Sequence, residues 1–186
     1  MKDKLLKIAK QVSPLLSKFY LAGGTAIMFK HNHRLSTDLD FFCKSWFSAN
    51  YYVKKLSDKF IVSNIRYLGD NTDLFIQDVK ISLVYFPFQN IKRLERFEGI
   101  KIASDYDLFL NKIYVAGRRI DIKDPFDIAF LYKKYKWDIK QVKRDFEKKF
   151  PGQSFEIYLG AVLDFDSYNE LEEGVKNILT KLIENL

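Results

Sequence analysis

Residues 19–42 read FYLAGGTAIMFKHNHRLSTDLDFF, and this stretch decides the fold class of the chain. Polar and apolar residues alternate over 38–42, which is typical of a strand. The pattern as a whole predicts, in order, a short strand over 19–22, a glycine turn at Gly23-Gly24, a short helix from Thr25 to about His31, and a second strand over 38–42. A strand, a turn, a helix and a returning strand in such a short span predict a mixed α/β domain.

The two carboxylates of the second strand, Asp38 and Asp40, are the first candidates for chemistry. Because side chains alternate between the faces of a strand, both point the same way, ~6.5–7 Å apart. Such a pair repels itself unless a cation lies between the two groups, and Mg²⁺ is commonly held by one or two carboxylates together with substrate phosphates. The pattern is therefore consistent with a metal site for nucleotide chemistry, although an exposed edge strand can show it without any function.

The Gly23-Gly24-Thr25 turn is the second candidate. Two glycines let the backbone approach a phosphate closely, and the helix that follows offers free N–H groups and the positive end of its dipole. The Thr25 hydroxyl either donates to the same phosphate or caps the helix. The alternative is an ordinary strand-to-helix turn. Together with the two carboxylates, however, this turn would place a triphosphate beside a metal ion.

The hydrophobic period changes from two to about 3.6 residues after Ser104. We expect a core with a small mixed β-sheet and flanking helices over 1–103, and a C-terminal helical bundle over 104–186 that packs on it. Further strands are predicted over 61–68, 73–77 and 79–86, and further helices over 2–17, 48–60, 104–116, 124–135, 138–149, 154–162 and 167–184.

The composition excludes several classes of protein. With 47% hydrophobic and 30% charged residues, the chain has the composition of a folded domain and not of a disordered one. No stretch approaches 18 uncharged apolar residues, and the start MKDKLLKIAKQ has no long apolar segment, so we expect neither a membrane span nor a secretory signal. Cys43 is the only cysteine, which excludes an internal disulfide and favours a cytoplasmic location.

The basic residues are unevenly distributed. Residues 1–150 contain 29 basic and 17 acidic residues, a net charge of +12, whereas residues 151–186 carry a net charge of −5. A basic body of this kind suits a polyanion such as RNA or the phosphates of a nucleotide. Alternatively, the lysines and arginines only solvate helix faces.

These motifs carry a family resemblance. The GGT turn, followed by His33-Arg34-x-Ser36-x-Asp38-Leu39-Asp40-Phe41-Phe42, closely resembles the opening motif of the AbiEii/AbiGii-toxin-like nucleotidyltransferases, which belong to the polymerase-β-like superfamily. The resemblance extends over roughly residues 19–132. It continues in a strand at 79–83, in a helix at 102–112, and in the Arg118-Arg119 and Lys123-Asp124-x-x-Asp127-Ile128 segment.

The resemblance implies roles for nine residues. Two would bind the catalytic metal, five would bind the nucleotide, and two would complete the catalytic pocket beside the phosphates or the attacking group. These are, in turn, Asp38 and Asp40; Gly23, Gly24, Thr25, Arg34 and Ser36; and Lys112 and Asp124.

Several of these roles have alternatives. Arg34 either contacts a phosphate or pairs with an aspartate on the neighbouring strand. Ser36 alternatively has no role beyond forming the loop. Lys112 could be an ordinary exposed helix lysine. Asp124 could merely cap a helix whose first residue is Pro125.

One position departs from the superfamily pattern. The superfamily often has a third carboxylate on a neighbouring strand, where this chain has Ser82. The expected function is a Mg²⁺-dependent nucleotidyltransferase that moves an NMP from an NTP to an acceptor hydroxyl, with an RNA such as tRNA as the expected acceptor. By resemblance, it would be a toxin that a separate antitoxin protein neutralises. The alternative is a catalytically weak or inactive nucleotide- or RNA-binding protein, and transfer to a small molecule or a protein hydroxyl is a third possibility.

Overall fold

The computed structural model describes residues 1–168 and 170–184. The chain divides into two compact units, Met1–Ser104 and Asp105–Leu186. The first unit contains a β-sheet and three α-helices, and the described part of the second contains helices.

A seven-stranded sheet forms the centre of the first unit. Its strands are β1 (Tyr20–Ala22), β2 (Leu39–Cys43), β3 (Val62–Leu68), β4 (Asn71–Ile76), β5 (Val79–Tyr85), β6 (Glu95–Phe97) and β7 (Ile100–Ile102). They lie in the order β3-β4-β5-β2-β1-β7-β6. Because β2 runs antiparallel to β1 and parallel to β5, the sheet is mixed, which confirms the predicted fold class.

The alternating pattern of β2 determines which face of this strand is buried. Leu39, Phe41 and Cys43 are buried, whereas Asp40 and Phe42 between them are half-buried. Asp38 directly precedes the strand and is also half-buried. Hydrophobic burial on one face therefore leaves the carboxylates on the other.

Three helices accompany the sheet: α1 (Lys2–Val12), α2 (Gly23–His31) and α3 (Ala49–Ser57). Helix α1 is shorter than the predicted 2–17, because Pro14 belongs to a 3₁₀ turn over Ser13–Leu15. Helix α2 is buried from Gly24 to Phe29. This burial explains why apolar residues occupy more than one face of the helix.

The strands β6 and β7 were not predicted from the sequence. Each has three residues, and Glu98 and Gly99 join them in left-handed conformations. Only Leu21 and Ile102 pair β7 with β1. Segments this short show too little of a period-two pattern to be recognised before the sheet forms.

The second unit contains five α-helices among its described residues: α4 (Asp105–Ala116), α5 (Lys123–Tyr135), α6 (Ile139–Lys149), α7 (Phe155–Leu163) and α8 (Glu173–Glu184). The Tyr114 ring stacks on Phe150 and on Tyr158, with centroid separations of 4.2 and 5.4 Å. The prediction of a helix over 167–184 was wrong in its start: a 3₁₀ turn covers Phe165–Ser167, and position 169 lies outside the described residues. None of the described helices has the length and apolar character needed to cross a membrane.

Candidate active site at the glycine turn

The carboxylate of Asp40 lies directly against the glycine turn. Strand pairing places Asp40 opposite Ala22, the last residue of β1, and Gly23 follows with a φ of +69°. A Cβ atom added to Gly23 would lie 2.2 Å from Asp40 Oδ2. Glycine is therefore required here both for the left-handed backbone and for the space that the carboxylate occupies.

The second glycine makes room for a guanidinium group. A Cβ atom on Gly24 would lie 2.5 Å from Arg34 Nη2 and 3.4 Å from Ser36 Oγ. The other terminal nitrogen of Arg34, Nη1, donates to the carbonyl oxygen of Leu35 at 2.9 Å. The turn therefore brings a carboxylate and a guanidinium to the first residues of α2, where N–H groups of the helix lack intrahelical partners.

Thr25 connects this helix to the loop before β2. It is fully buried, and its hydroxyl lies within hydrogen-bonding distance of Ser36 Oγ, at 2.7 Å, and of the backbone oxygen of Asp38. The alternative in which Thr25 only caps the helix does not apply, because α2 already begins at Gly23. Thr25 instead fixes the segment that carries Asp38.

Further charged residues share the strand face with these carboxylates, and the sequence did not reveal them. Asp73 on β4 and Lys80 on β5 form an ion pair, with Nζ 2.9 Å from Oδ2. This hydrogen bond raises the pKa of Lys80, and the nearby charges of Asp38 and Asp40 add to the effect although partial burial opposes it. Arg66 of β3 pairs in register with Asp73, so this face carries three carboxylates, one ammonium group and one guanidinium group.

The donor set fits a hard divalent cation. Asp38 and Asp40 are half-buried carboxylates on adjacent positions of one strand face. Among residues 1–168 and 170–184, no group of three or more histidine, cysteine or acidic side chains is arranged to hold a metal. A pair of carboxylates is the number of protein ligands that Mg²⁺ commonly uses when substrate phosphates complete its shell.

Lys112 and Asp124 lie together in the second unit. Lys112 Nζ is 2.6 Å from Asp124 Oδ1 and 2.8 Å from Asp127 Oδ2, and both carboxylates are fully buried. Arg119 Nε also donates to Asp124, at 2.9 Å. The alternative in which Asp124 only caps a helix starting at Pro125 does not apply, because α5 begins at Lys123 and its N-cap is Ile122.

These ion pairs keep Lys112 protonated. Burial by itself lowers the pKa of Lys112, but the charges of Asp127 and Asp124 and their hydrogen bonds outweigh it, so the pKa is raised above its ordinary value. In this protonated state the ammonium group of Lys112 donates hydrogen bonds to the two carboxylates. Lys112 is thus neither an exposed helix lysine nor a group with a lowered pKa.

Comparison with known proteins places these motifs in a family context. The family model described as "Nucleotidyl transferase AbiEii toxin, Type IV TA system" matches residues 4–186. A relative from Aquifex aeolicus (strain VF5), the uncharacterized protein aq_aa25, is 29% identical over 190 residues, which cover 92% of this chain and 91% of the relative.

Solved structures share the fold at lower identity. JHP933 from Helicobacter pylori superimposes with a TM-score of 0.59 and 19% identity, over all of this chain and 93% of its own. The Megavirus polyadenylate synthase matches with a TM-score of 0.51 and 15% identity, over 72% of this chain and 31% of its own. At such identities the likeness shows the architecture and leaves the chemistry to the residues at the glycine turn.

Proposed function

Since this chain belongs to the AbiEii family of nucleotidyl transferase toxins, we propose that it is a Mg²⁺-dependent nucleotidyltransferase that moves an NMP from an NTP to an acceptor hydroxyl. The observation that carries this proposal is the contact of the Asp40 carboxylate with Gly23, at the first residue of α2. At this point the end of a helix that would bind phosphate lies next to a carboxylate that would bind metal.

The residues of the turn divide the work of binding. The backbone N–H groups at the start of α2 and the guanidinium of Arg34 would hold the triphosphate. Thr25 and Ser36 would keep the loop in place, so that Asp38 and Asp40 stay on one face. Asp38 and Asp40 would hold the Mg²⁺ ion, which when bound neutralises charge on the reacting phosphate.

The proposed reaction is an in-line displacement at the α-phosphorus. The acceptor oxygen forms a bond to this phosphorus while the bond from phosphorus to the bridging β-phosphate oxygen breaks. Pyrophosphate leaves with that electron pair, and the hydroxyl proton passes to solvent. The protein's part is to hold the acceptor oxygen, the α-phosphorus and the leaving oxygen in line and to stabilise the developing charge.

We propose RNA, such as tRNA, as the acceptor and a separate antitoxin protein as a partner, with the reaction in the cytoplasm. The net charge of +12 on residues 1–150 supports a polyanionic acceptor. For Lys112 and Asp124, the closed cluster with Asp127 supports a positioning role that holds α4 against α5. Their contribution to catalysis, which the family resemblance implies, stays a prediction.

One observation favours a second candidate, a nucleotide-binding protein with little turnover. Strand pairing puts Ser82 of β5 next to Asp40, at a position where a carboxylate would complete a three-acid site. With a neutral side chain there, the protein would bind NTP and metal but transfer nucleotides slowly or not at all.

Label transfer distinguishes the two candidates. The wild-type protein is incubated with Mg²⁺, total RNA and each of four α-³²P-labelled NTPs in turn, and RNA and protein are separated before counting. The transferase predicts label on a defined RNA fraction, and loss of that label by at least about 10³-fold in Asp38→Asn and Asp40→Asn.

The matched control is Asp58→Asn, which removes an exposed carboxylate at the end of α3. It should retain full activity. Wild-type protein that binds NTP with Mg²⁺ in calorimetry, yet labels neither RNA nor protein, would favour the binding protein. Label on protein instead of RNA would keep the transferase and replace its acceptor.

A further inference from the structure

Three side chains form a row across the sheet at the candidate active site. Asp40 of β2 pairs in register with Ser82 of β5, and Ser82 pairs in register with Asp73 of β4. Residues paired in this way project from the same face, and neighbouring strands lie about 4.8 Å apart. Ser82 therefore lies between the carboxylate at the glycine turn and a second carboxylate one strand further away.

One hydrogen bond determines whether the Ser82 hydroxyl group acts as a donor or as an acceptor towards its other neighbours. Ser82 Oγ donates to Asp73 Oδ1 at 2.8 Å, while Lys80 Nζ contacts the other oxygen of Asp73 at 2.9 Å. A hydroxyl group has one proton and two lone pairs, so a serine that donates to Asp73 can only accept elsewhere. Asp73 is thereby held at both oxygens, and its side chain is only 14% exposed.

We propose that Asp73 is a positioning residue of this site and acts through Ser82. Because Asp73 accepts the proton of the Ser82 hydroxyl group in a hydrogen bond, the Ser82 oxygen would be fixed beside Asp40 as a neutral acceptor for the cation or its water ligands. The inference rests on the cation site of the proposed function. Asp73 and Ser82 together would supply, across two strands, an oxygen ligand or water acceptor that a carboxylate at position 82 would supply directly.

The row explains two features that are otherwise unrelated. A buried serine in a central strand needs a hydrogen-bond partner, which Asp73 provides, and Ser82 is 6% exposed. An aspartate on β4 needs a countercharge, which Lys80 provides. Groups that orient a metal-site oxygen from outside the first shell typically change metal affinity by about 10–100-fold when they are removed.

A double-mutant cycle on Mn²⁺ affinity tests the proposal without requiring turnover. Mn²⁺ is titrated alone into the wild type, Asp73→Asn, Ser82→Ala and the double variant, and free Mn²⁺ is followed by electron paramagnetic resonance. Each single variant should bind Mn²⁺ about tenfold more weakly. If Asp73 acts through Ser82, the double variant should be no weaker than Ser82→Ala.

Asp78→Asn is the matched control, because Asp78 is an exposed carboxylate in the β4–β5 turn whose left-handed backbone (φ +62°) asparagine also adopts. It should bind Mn²⁺ like the wild type. A melting curve accompanies every variant, and Ser82→Ala keeps the test valid if Asp73→Asn does not fold.

The outcomes separate this inference from the proposed function. Wild-type affinity in both folded single variants overturns the role of Asp73. Additive losses in the double variant overturn its action through Ser82, because Asp73 would then act by its charge alone. Normal Mn²⁺ binding without label transfer in the wild type overturns the proposed enzyme and leaves the cycle interpretable, while a wild type that binds Mn²⁺ neither alone nor together with NTP overturns both.

Discussion

The two units of this protein use the same residue types in opposite ways. In the second unit, Lys112 lies between Asp124 and Asp127, and all three side chains are buried. In the first unit, Asp38 and Asp40 are half-buried on one face of the sheet, near the ion pair of Lys80 and Asp73. A buried ion cluster whose charges pair with one another holds helices together, whereas carboxylates that are only half-buried can also contact a cation from solvent.

The largest expected effect comes from opening the closed cluster. Lys112→Met removes the ammonium partner of two fully buried carboxylates, of which Asp124 keeps Arg119, and this should lower the free energy of unfolding by about 3 kcal/mol. Urea denaturation followed by circular dichroism measures it, with Lys133→Met, an exposed lysine of α5, as the control. A loss no larger than that of the control would contradict the structural role of the cluster.

The same variant predicts a pH dependence. The pKa of Lys112 is higher in the folded state than its ordinary 10.5, so folding favours the protonated form. The difference in stability between wild type and Lys112→Met should therefore be constant from pH 6 to about pH 10 and should shrink as pH rises through the folded-state pKa. A difference that shrinks below neutral pH instead would mean that other groups control it.

A smaller effect is expected from a substitution that displaces the Asp40 carboxylate at the glycine turn. Gly23→Ala and Gly69→Ala both place alanine at a φ near +65–70°, but only the first puts a Cβ against Asp40 Oδ2. The shared backbone strain should cost each variant about 1–2 kcal/mol. Gly23→Ala alone should also displace Asp40 and weaken Mn²⁺ binding by about tenfold. Equal Mn²⁺ affinity in the two variants would show that the glycine turn does not affect cation binding at the carboxylates.

The smallest effect should come from removing the ammonium group of Lys80, which lies on the strand face of Asp38 and Asp40. Lys80→Gln removes a positive charge that is attracted to Asp38 and Asp40, so Mn²⁺ should bind a few-fold, about two to five times, more tightly at low salt. The gain should fall in 0.5 M salt, which screens the interaction. Weaker binding would instead indicate that the contact of Lys80 with Asp73 matters more than its charge.

Several features of the fold were predictable because they depend on local patterns. The period-two alternation of Leu39, Phe41 and Cys43 predicts β2, and the position of Asp40 on its other face follows. Strand β7 was not predictable, because its three residues become a strand only by pairing with β1 and β6.

The candidate site was predictable to a similar extent. The glycine turn and the two carboxylates lie within 18 residues of each other, from Gly23 to Asp40, and the carboxylate of Asp40 does meet the turn. Asp73 and Lys80 were not recognised, because their relation to Asp40 depends on the register of three strands. The alternative roles of Thr25 and Asp124 as helix caps do not apply, because both helices begin before these residues and their side chains contact tertiary partners.

The strand–turn–helix–strand unit, the common face of Asp38 and Asp40, and the change to helices after Ser104 follow from the order of the amino acids, since each depends on residues close in the chain. The partners of the charged side chains follow from the folded arrangement: Ser82 donates to Asp73, and Lys112 contacts Asp127. Ion pairs and hydrogen bonds act over a few ångströms in space, whatever the separation of the residues along the chain.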